Sequence, residues 1–212
     1  MLRHLGTASP HTSERKPWVL KTPFHTAMLD DLVAEYPKAR VVMTHRRPVR
    51  ALTSLSSFQL RLRSVGTDKV DPHAIAKEVF SLWDAFAGRA VQTRQKWADS
   101  AHDSSVRDAV GRTAGPGGGL VDVALSELHT DPMAAVRRIY DAFELTLTPA
   151  AEAKMTGFLA GNGRDKHGTN RYKAEWFGLG SAQDVLDRHD GLQAYDDYYC
   201  TVLFPETCTS AE

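Results

Sequence analysis

Two segments of the chain share one pattern, in which a short apolar run ends in basic residues and leads directly into a helical pattern. They are WVLKTPFHTAML (residues 18–29) and ARVVMTHRRPVRALTSLSSF (residues 39–58). Residues 18–22 and 40–44 are predicted strands, and the second is apolar enough to be buried on both faces of a parallel sheet. A strand, helix, strand and helix in succession predict a right-handed βαβ unit within an α/β fold.

Helical periodicity accounts for much of the remaining chain. Apolar residues recur every three or four positions, and Asp131-Pro132 and Thr148-Pro149 are typical helix starts. The predicted helices span residues 26–36, 48–62, 72–97, 132–143 and 149–159, and residues 120–125 are a candidate third strand. We therefore expect one domain over residues 1–212, with a polar lead-in at 1–17, a flexible loop at 99–119 and a C-terminal tail at 200–212.

Composition limits the functions that such a domain can have. Lys+Arg and Asp+Glu both number 26, and a formal net charge of zero argues against a general nucleic-acid binder. No apolar run is long enough for a membrane segment, and residues 1–20 lack a signal-peptide core, so a cytoplasmic location is expected. Cys200 and Cys208 are expected to be reduced structural thiols, with a disulfide between them as the alternative.

The basic residues at the two strand ends form the first candidate site. Lys21, His25, His45, Arg46 and Arg47 would gather beyond the carboxyl ends of the strands, where α/β sheets bind ligands, and their charge favours an anion. The alternatives are solvated or salt-bridged strand ends and a histidine that caps a helix. A zinc site built on the two histidines lacks a third ligand at suitable spacing, so we expect no metal.

The segment GNGRDKHGTNRYKAEWFGLG (residues 161–180) is the second candidate site. It is basic, rich in Gly and Asn and too polar for a core, which favours a binding loop. A solvated C-terminal helix cap is the alternative. The run GPGGG at 115–119 is not interpreted as a phosphate-binding loop, because no Lys-Ser/Thr follows it and it precedes a strand.

Several of these motifs together resemble one family. WVLKTPFH and YPKARVVMTHRRPVRALTSLSS resemble the core of the sulfotransferases that use 3′-phosphoadenosine 5′-phosphosulfate (PAPS), particularly the bacterial-type branch with Leu-Lys-Ser/Thr-Pro-x-His and Thr-His-Arg-Asp-Pro motifs. DPMAAVRRIYDAFELTLTPAAEAKM and KHGTNRYKAEWFGL are similar to the C-terminal half of that branch, in the same order. Together the matching segments cover most of residues 2–199.

The resemblance implies a fold, a reaction and a set of site residues. The fold is a partial P-loop-NTPase-like parallel sheet flanked by helices, and PAPS donates a sulfuryl group to a hydroxyl or amine of a small-molecule, glycan or lipid acceptor. By the resemblance, Lys21 lies near the sulfuryl group and His25 is the candidate base. Arg46 and Ser54 hold the 3′-phosphate of the nucleotide. The basic loop adds Lys166, Gly168 and Arg171 to the 3′-phosphate site.

The chain also departs from the family pattern. Arg47 stands where the family usually has Asp, Leu125 stands where a Tyr is common, and the loop around AGPGGG resembles an insertion. Nothing before Lys21 matches the N-terminal loop that grips the 5′-phosphosulfate. We therefore expect an N-terminally truncated domain, with an exposed sheet edge through which it self-associates. The alternative function is a non-catalytic remnant that binds an adenosine 3′-phosphate nucleotide or a partner chain.

Overall fold

The computed structural model describes residues 18–100, 112–113, 119–163, 166, 168 and 170–208, and most of this chain is helical. Three strands form its sheet: β1 (Val41–His45), β2 (Arg112–Thr113) and β3 (Leu120–Ala124). The α-helices are α1 (Leu29–Glu35), α2 (Pro48–Arg63), α3 (Pro72–Ser100), α4 (Leu125–Thr130), α5 (Pro132–Ala142), α6 (Pro149–Gly161), α7 (Ala182–Leu186) and α8 (Asp190–Tyr198). The predicted lead-in at 1–17 and most of the predicted loop at 99–119 lie outside the described residues.

The sheet has the strand order β1-β3-β2. β1 and β3 are parallel, in a register that runs from Val41 opposite Leu120 to His45 opposite Ala124, and β2 is antiparallel to β3. All five residues of β3 are buried. The prediction that β1 is buried on both faces was wrong: Val42 is 42% exposed, because its side of the strand faces an open cleft and not a packed layer.

The predicted strand at residues 18–22 was also wrong. These residues have no regular secondary structure, and Trp18 and Val19 are largely exposed. A strand exists only where a neighbour completes its hydrogen-bond ladder, and none of the described strands pairs with this segment. The parallel pair of the fold is therefore β1 and β3, which α2 and α3 connect, and Lys21 does not stand at a strand end.

The predicted helices and the third strand are confirmed to within a few residues. The helix predicted at 26–36 divides into a 3-10 turn, Pro23–Met28, and α1. Thr22 begins the turn, since its Oγ1 accepts a hydrogen bond from the Phe24 amide at 3.3 Å. α3 packs against α2 and α8, and the largest cluster of core side chains lies between these helices and α7, including Ile75, Phe80, Leu192, Val185 and Leu52.

The C-terminal segment corrects one further prediction. A disulfide bond joins Cys200 and Cys208, so the expectation of reduced thiols was wrong. A π-helical turn, Tyr199–Leu203, and a 3-10 turn, Pro205–Thr207, reverse the chain. The reversal brings the two Cα atoms to 5.6 Å, a usual separation for a disulfide. None of the helices in the described part of the chain is long and apolar enough to span a bilayer.

Candidate functional site

A large open cleft runs between residues 18–23 and β1. Its volume is about 1370 Å³, and Lys21, His25 and Arg46 all line it. Local sequence explains the placement of two of them: the 3-10 turn that begins at Pro23 carries His25, and Pro48 begins α2 directly after β1, which leaves Arg46 in the connecting turn. Lys21 is exposed, whereas His25 and Arg46 are half-buried. The structure thus brings together three residues that the sequence placed in one site.

A second, basic cavity of about 640 Å³ lies on the other side of Arg46. It contains four cationic side chains, and no acidic side chain lines it among the described residues. The cations come from the turn after β1, from α2 and from the loop that follows α6: Arg46, Arg50, Arg171 and Lys173. Such a cavity suits an anion, because cations that face one shared space raise the local concentration of negative ligands. Thr53, Asn170 and Trp176 complete much of the wall.

Of the other predicted site residues, His45 lines the open cleft and Arg171 lines the basic cavity, whereas Ser54, Lys166 and Gly168 line neither. Ser54 is half-buried on α2, where the adjacent Thr53 lines the basic cavity instead. Lys166 donates to the carbonyl of Gly161 and to Oδ1 of Asn162, both at 3.1 Å, as a helix C-cap does. Gly168 has φ +85°, a left-handed conformation that glycine adopts readily. Residues 164, 165, 167 and 169 of this loop lie outside the described residues.

Arg47, which stands where the family usually has Asp, is paired with Asp196 of α8. Its Nε donates to Oδ1 at 3.0 Å and its Nη2 donates to Oδ2 at 2.6 Å. This bidentate contact balances the positive charge of Arg47 with a buried carboxylate. Arg47 lines neither cavity, so the anion-binding character of the site does not depend on it.

Sequence reasoning missed a polar group of three buried side chains and one half-buried side chain, which we call the buried quartet: His45, Asp122, Arg94 and Tyr195. The Asp122 carboxylate accepts from His45 Nε2 at 2.7 Å and from the two terminal nitrogens of Arg94 at 2.8 and 2.6 Å. His45 Nδ1 lies 2.6 Å from the Tyr195 hydroxyl. A signal was present, since Asp122 interrupts the apolar run of β3 and Arg94 follows the buried stripe of α3.

The electrostatics of the buried quartet follow from burial and close pairing. Burial raises the pKa of Asp122, but the hydrogen bonds from Arg94 and His45 outweigh it and hold that pKa well below its usual range. Burial lowers the pKa of Arg94, and the contacts with Asp122 more than compensate. Burial is also the main reason that the pKa of Tyr195 is raised. The group therefore contains an ionised Asp122–Arg94 pair and a neutral Tyr195 at neutral pH.

Comparison with known proteins identifies the class to which this fold and site belong. The family model described as "Sulfotransferase family" matches residues 3–149, and the chain belongs to that family. The resemblance found in the sequence is thereby confirmed. No curated protein matches the chain.

Two solved structures resemble it over most of its length. Sulfotransferase STF9 from Mycobacterium avium has 22% identity and a TM-score of 0.61, with 87% of this chain and 41% of that chain covered. Sulfotransferase STF1 from Mycobacterium tuberculosis H37Rv has 27% identity and a TM-score of 0.57, with 84% of this chain and 40% of that chain covered. The predicted α/β sulfotransferase fold is confirmed, and the chain spans about two-fifths of the length of these relatives.

Proposed function

We propose that this chain supplies part of the donor site and the catalytic base of a sulfotransferase that moves a sulfuryl group from PAPS to a hydroxyl or amine. The observation that carries the proposal is the position of Arg46, which lines both the open cleft with Lys21 and His25 and the basic cavity with Arg171. PAPS carries anionic groups at two ends of its ribose. Two adjoining cation-lined spaces suit such a ligand.

The nucleotide-binding residues divide between two elements. Arg46 and Arg171 face the basic cavity, where Arg50 and Lys173 add positive charge for the 3′-phosphate. Ser54 lies on α2, one turn beyond Arg50, and we retain it as a ligand of the same phosphate. Lys166 and Gly168 belong to the loop that contributes Arg171, and they are proposed to approach the phosphate when the nucleotide binds.

In the proposed reaction, His25 and Lys21 of the open cleft each have one role. The acceptor oxygen or nitrogen attacks sulfur as its proton passes to the imidazole of His25. The bond between sulfur and the bridging phosphate oxygen breaks, and adenosine 3′,5′-bisphosphate leaves with the negative charge. Lys21 stabilises the charge that grows on the sulfuryl and bridging oxygens, as cations do in phosphoryl transfer. The acceptor is proposed to be a small molecule, a glycan or a lipid.

The proposal is tested by titrating the protein with adenosine 3′,5′-bisphosphate in a calorimeter. Arg46→Ala should weaken binding roughly 10- to 150-fold, because it removes a charge-assisted contact worth about 1.5–3 kcal/mol. Arg61→Ala is the matched control, since Arg61 is an exposed cation in the last turn of α2, the helix that follows Arg46. Unchanged affinity in a folded Arg46→Ala protein would remove Arg46 from the site.

A second candidate function is nucleotide binding without catalysis. It is favoured by the basic cavity, which the described residues form without Lys21 or His25. Sulfuryl transfer from labelled PAPS to a panel of alcohols and amines separates the two candidates. Binding without transfer supports the second candidate, and multiple turnovers support the first.

A further inference from the structure

We propose that the buried quartet is a positioning unit that fixes the direction of Arg46, an inference that rests on the proposed function because it takes Arg46 as a nucleotide ligand. His45 is the last residue of β1, and Arg46 follows it directly. His45 is only 2% exposed, whereas Arg46 is half-buried between the open cleft and the basic cavity. The contacts that fix the imidazole of His45 therefore also fix the adjacent backbone, from which the side chain of Arg46 extends.

Both ring nitrogens of His45 are held. Nε2 donates to the ionised carboxylate of Asp122 at 2.7 Å, and Nδ1 lies 2.6 Å from the Tyr195 hydroxyl. Two directional bonds on opposite sides of a ring leave little freedom of rotation about its side-chain bonds. The ring also packs against Phe204, with centroids 5.7 Å apart.

The other three members of the buried quartet come from three further elements. Asp122 lies in β3, Arg94 in α3 and Tyr195 in α8, and 77 and 150 sequence positions separate His45 from Asp122 and Tyr195. An apolar cluster of similar volume would stabilise these elements about as well as a buried ion pair does. What the polar quartet adds beyond stability is a fixed hydrogen-bond geometry. That geometry holds His45, the residue next to Arg46.

Tyr195 is the member of the buried quartet best suited to a test, because Phe keeps its ring and removes only the hydroxyl bonded to His45. We expect Tyr195→Phe to weaken binding of adenosine 3′,5′-bisphosphate about three- to tenfold, the usual effect of losing one hydrogen bond. Tyr199→Phe is the matched control: Tyr199 is a buried tyrosine one turn later than the half-buried Tyr195, and it packs on Phe204 outside the quartet. Removing the Tyr199 hydroxyl should change the affinity for adenosine 3′,5′-bisphosphate less than twofold.

A double-mutant cycle with Arg46→Ala distinguishes positioning from a general structural effect. If Tyr195 acts through Arg46, Tyr195→Phe should change affinity less than twofold in the Arg46→Ala background. An equal loss in both backgrounds, or no loss in either, would overturn the inference. An Arg46→Ala protein that binds as the unmodified chain does would instead contradict the proposed function.

Hydrogen exchange without nucleotide tests the inference independently of the proposed function. Tyr195→Phe should speed exchange in a peptide covering residues 42–47 at least threefold more than in residues 75–80 of α3, because the change frees the end of β1 locally. The Asp122→Asn protein, if it folds, should show the same local pattern more strongly. Equal acceleration in both peptides would show that the quartet only stabilises the fold as a whole. No acceleration in either peptide would show that the end of β1 does not depend on the Tyr195 hydroxyl, and both results would overturn the inference.

Discussion

His25 is the residue whose proposed role depends most on chemistry and least on nucleotide binding. It lies half-buried in the 3-10 turn Pro23–Met28 and lines the open cleft but not the basic cavity. In a complete enzyme that contains this region, His25→Ala should lower turnover about 10²- to 10⁴-fold and leave nucleotide affinity nearly unchanged, as expected for a general base. Steady-state kinetics and calorimetry on the same preparation measure both quantities.

His129→Ala is the control for that experiment, because His129 is an exposed histidine in the last turn of α4. It should alter neither quantity. Parallel losses of turnover and nucleotide affinity in His25→Ala would instead make His25 a phosphate ligand or a structural residue.

The candidate site was partly predictable at the residue scale. Lys21, His25 and Arg46 were found because a cation or imidazole just after an apolar run is visible within a few positions of sequence. The partners of His45 were not found, because they lie in β3 and α8, far along the chain, and only the folded structure brings them together. Arg47 was noticed, but its neutralising partner, Asp196, was not predictable for the same reason.

At the scale of elements, the Asp122–Arg94 pair joins β3 to α3 and should make stability depend on pH. The pKa of Asp122 is lower in the folded protein than in the unfolded chain, where it is about 3.9. Its contribution is therefore fully present above about pH 5 and is lost as the pH falls through the lowered folded-state pKa. Urea unfolding at several pH values should show this loss in the unmodified protein.

Asp122→Asn isolates that contribution. It should lower the free energy of unfolding at pH 7 by about 3–5 kcal/mol, because it removes the buried carboxylate that both terminal nitrogens of Arg94 contact. It should also reduce the dependence of stability on acidic pH. Asp68→Asn, which changes an exposed carboxylate between α2 and α3, should do neither. Equal acid dependence in the Asp122→Asn and unmodified proteins would contradict the assignment.

The disulfide between Cys200 and Cys208 should stabilise the two C-terminal turns that it joins. Cys200 and Cys208 are separated by eight positions, and the chain-entropy account gives a closed loop of that size about 2.5 kcal/mol of stabilisation. Replacing both cysteines by Ser should lower the free energy of unfolding by about that amount. A reductant should destabilise the unmodified protein to the same level and leave the double variant unaffected. Alkylation of both thiols without reductant would show that the bond is absent.

The elements that the sequence predicted are those with local signals. The helices carry apolar residues at helical spacing and N-caps such as Asp131 and Thr148, whose side chains accept from amides three positions later. The failed strand at 18–22 had the right apolar character, but a strand also needs a neighbour, and no local pattern reveals whether one is present. The exposure of Val42 has the same cause, since burial of a face is decided by what packs on it.

At the scale of the whole molecule, the edge of β1 that faces away from β3 carries no partner among the described strands. Apolar side chains stand around it, with Trp18, Val19, Leu20 and Val42 all exposed. The formal net charge of the chain is zero, so no net repulsion between copies opposes association at neutral pH. An unpaired apolar edge on a molecule with no net charge favours pairing with a second copy.

We therefore expect the chain to self-associate, with a solution mass above the 23.4 kDa of one copy that rises with concentration. Val42→Lys should shift the mass toward the monomer, because a charge on an edge strand opposes pairing. Val65→Lys is the matched control, since Val65 is 87% exposed just beyond α2 and away from the sheet. Sedimentation velocity over a range of concentrations measures the masses. A monomer at every concentration, or equal shifts in both variants, would show that β1 is not the associating edge.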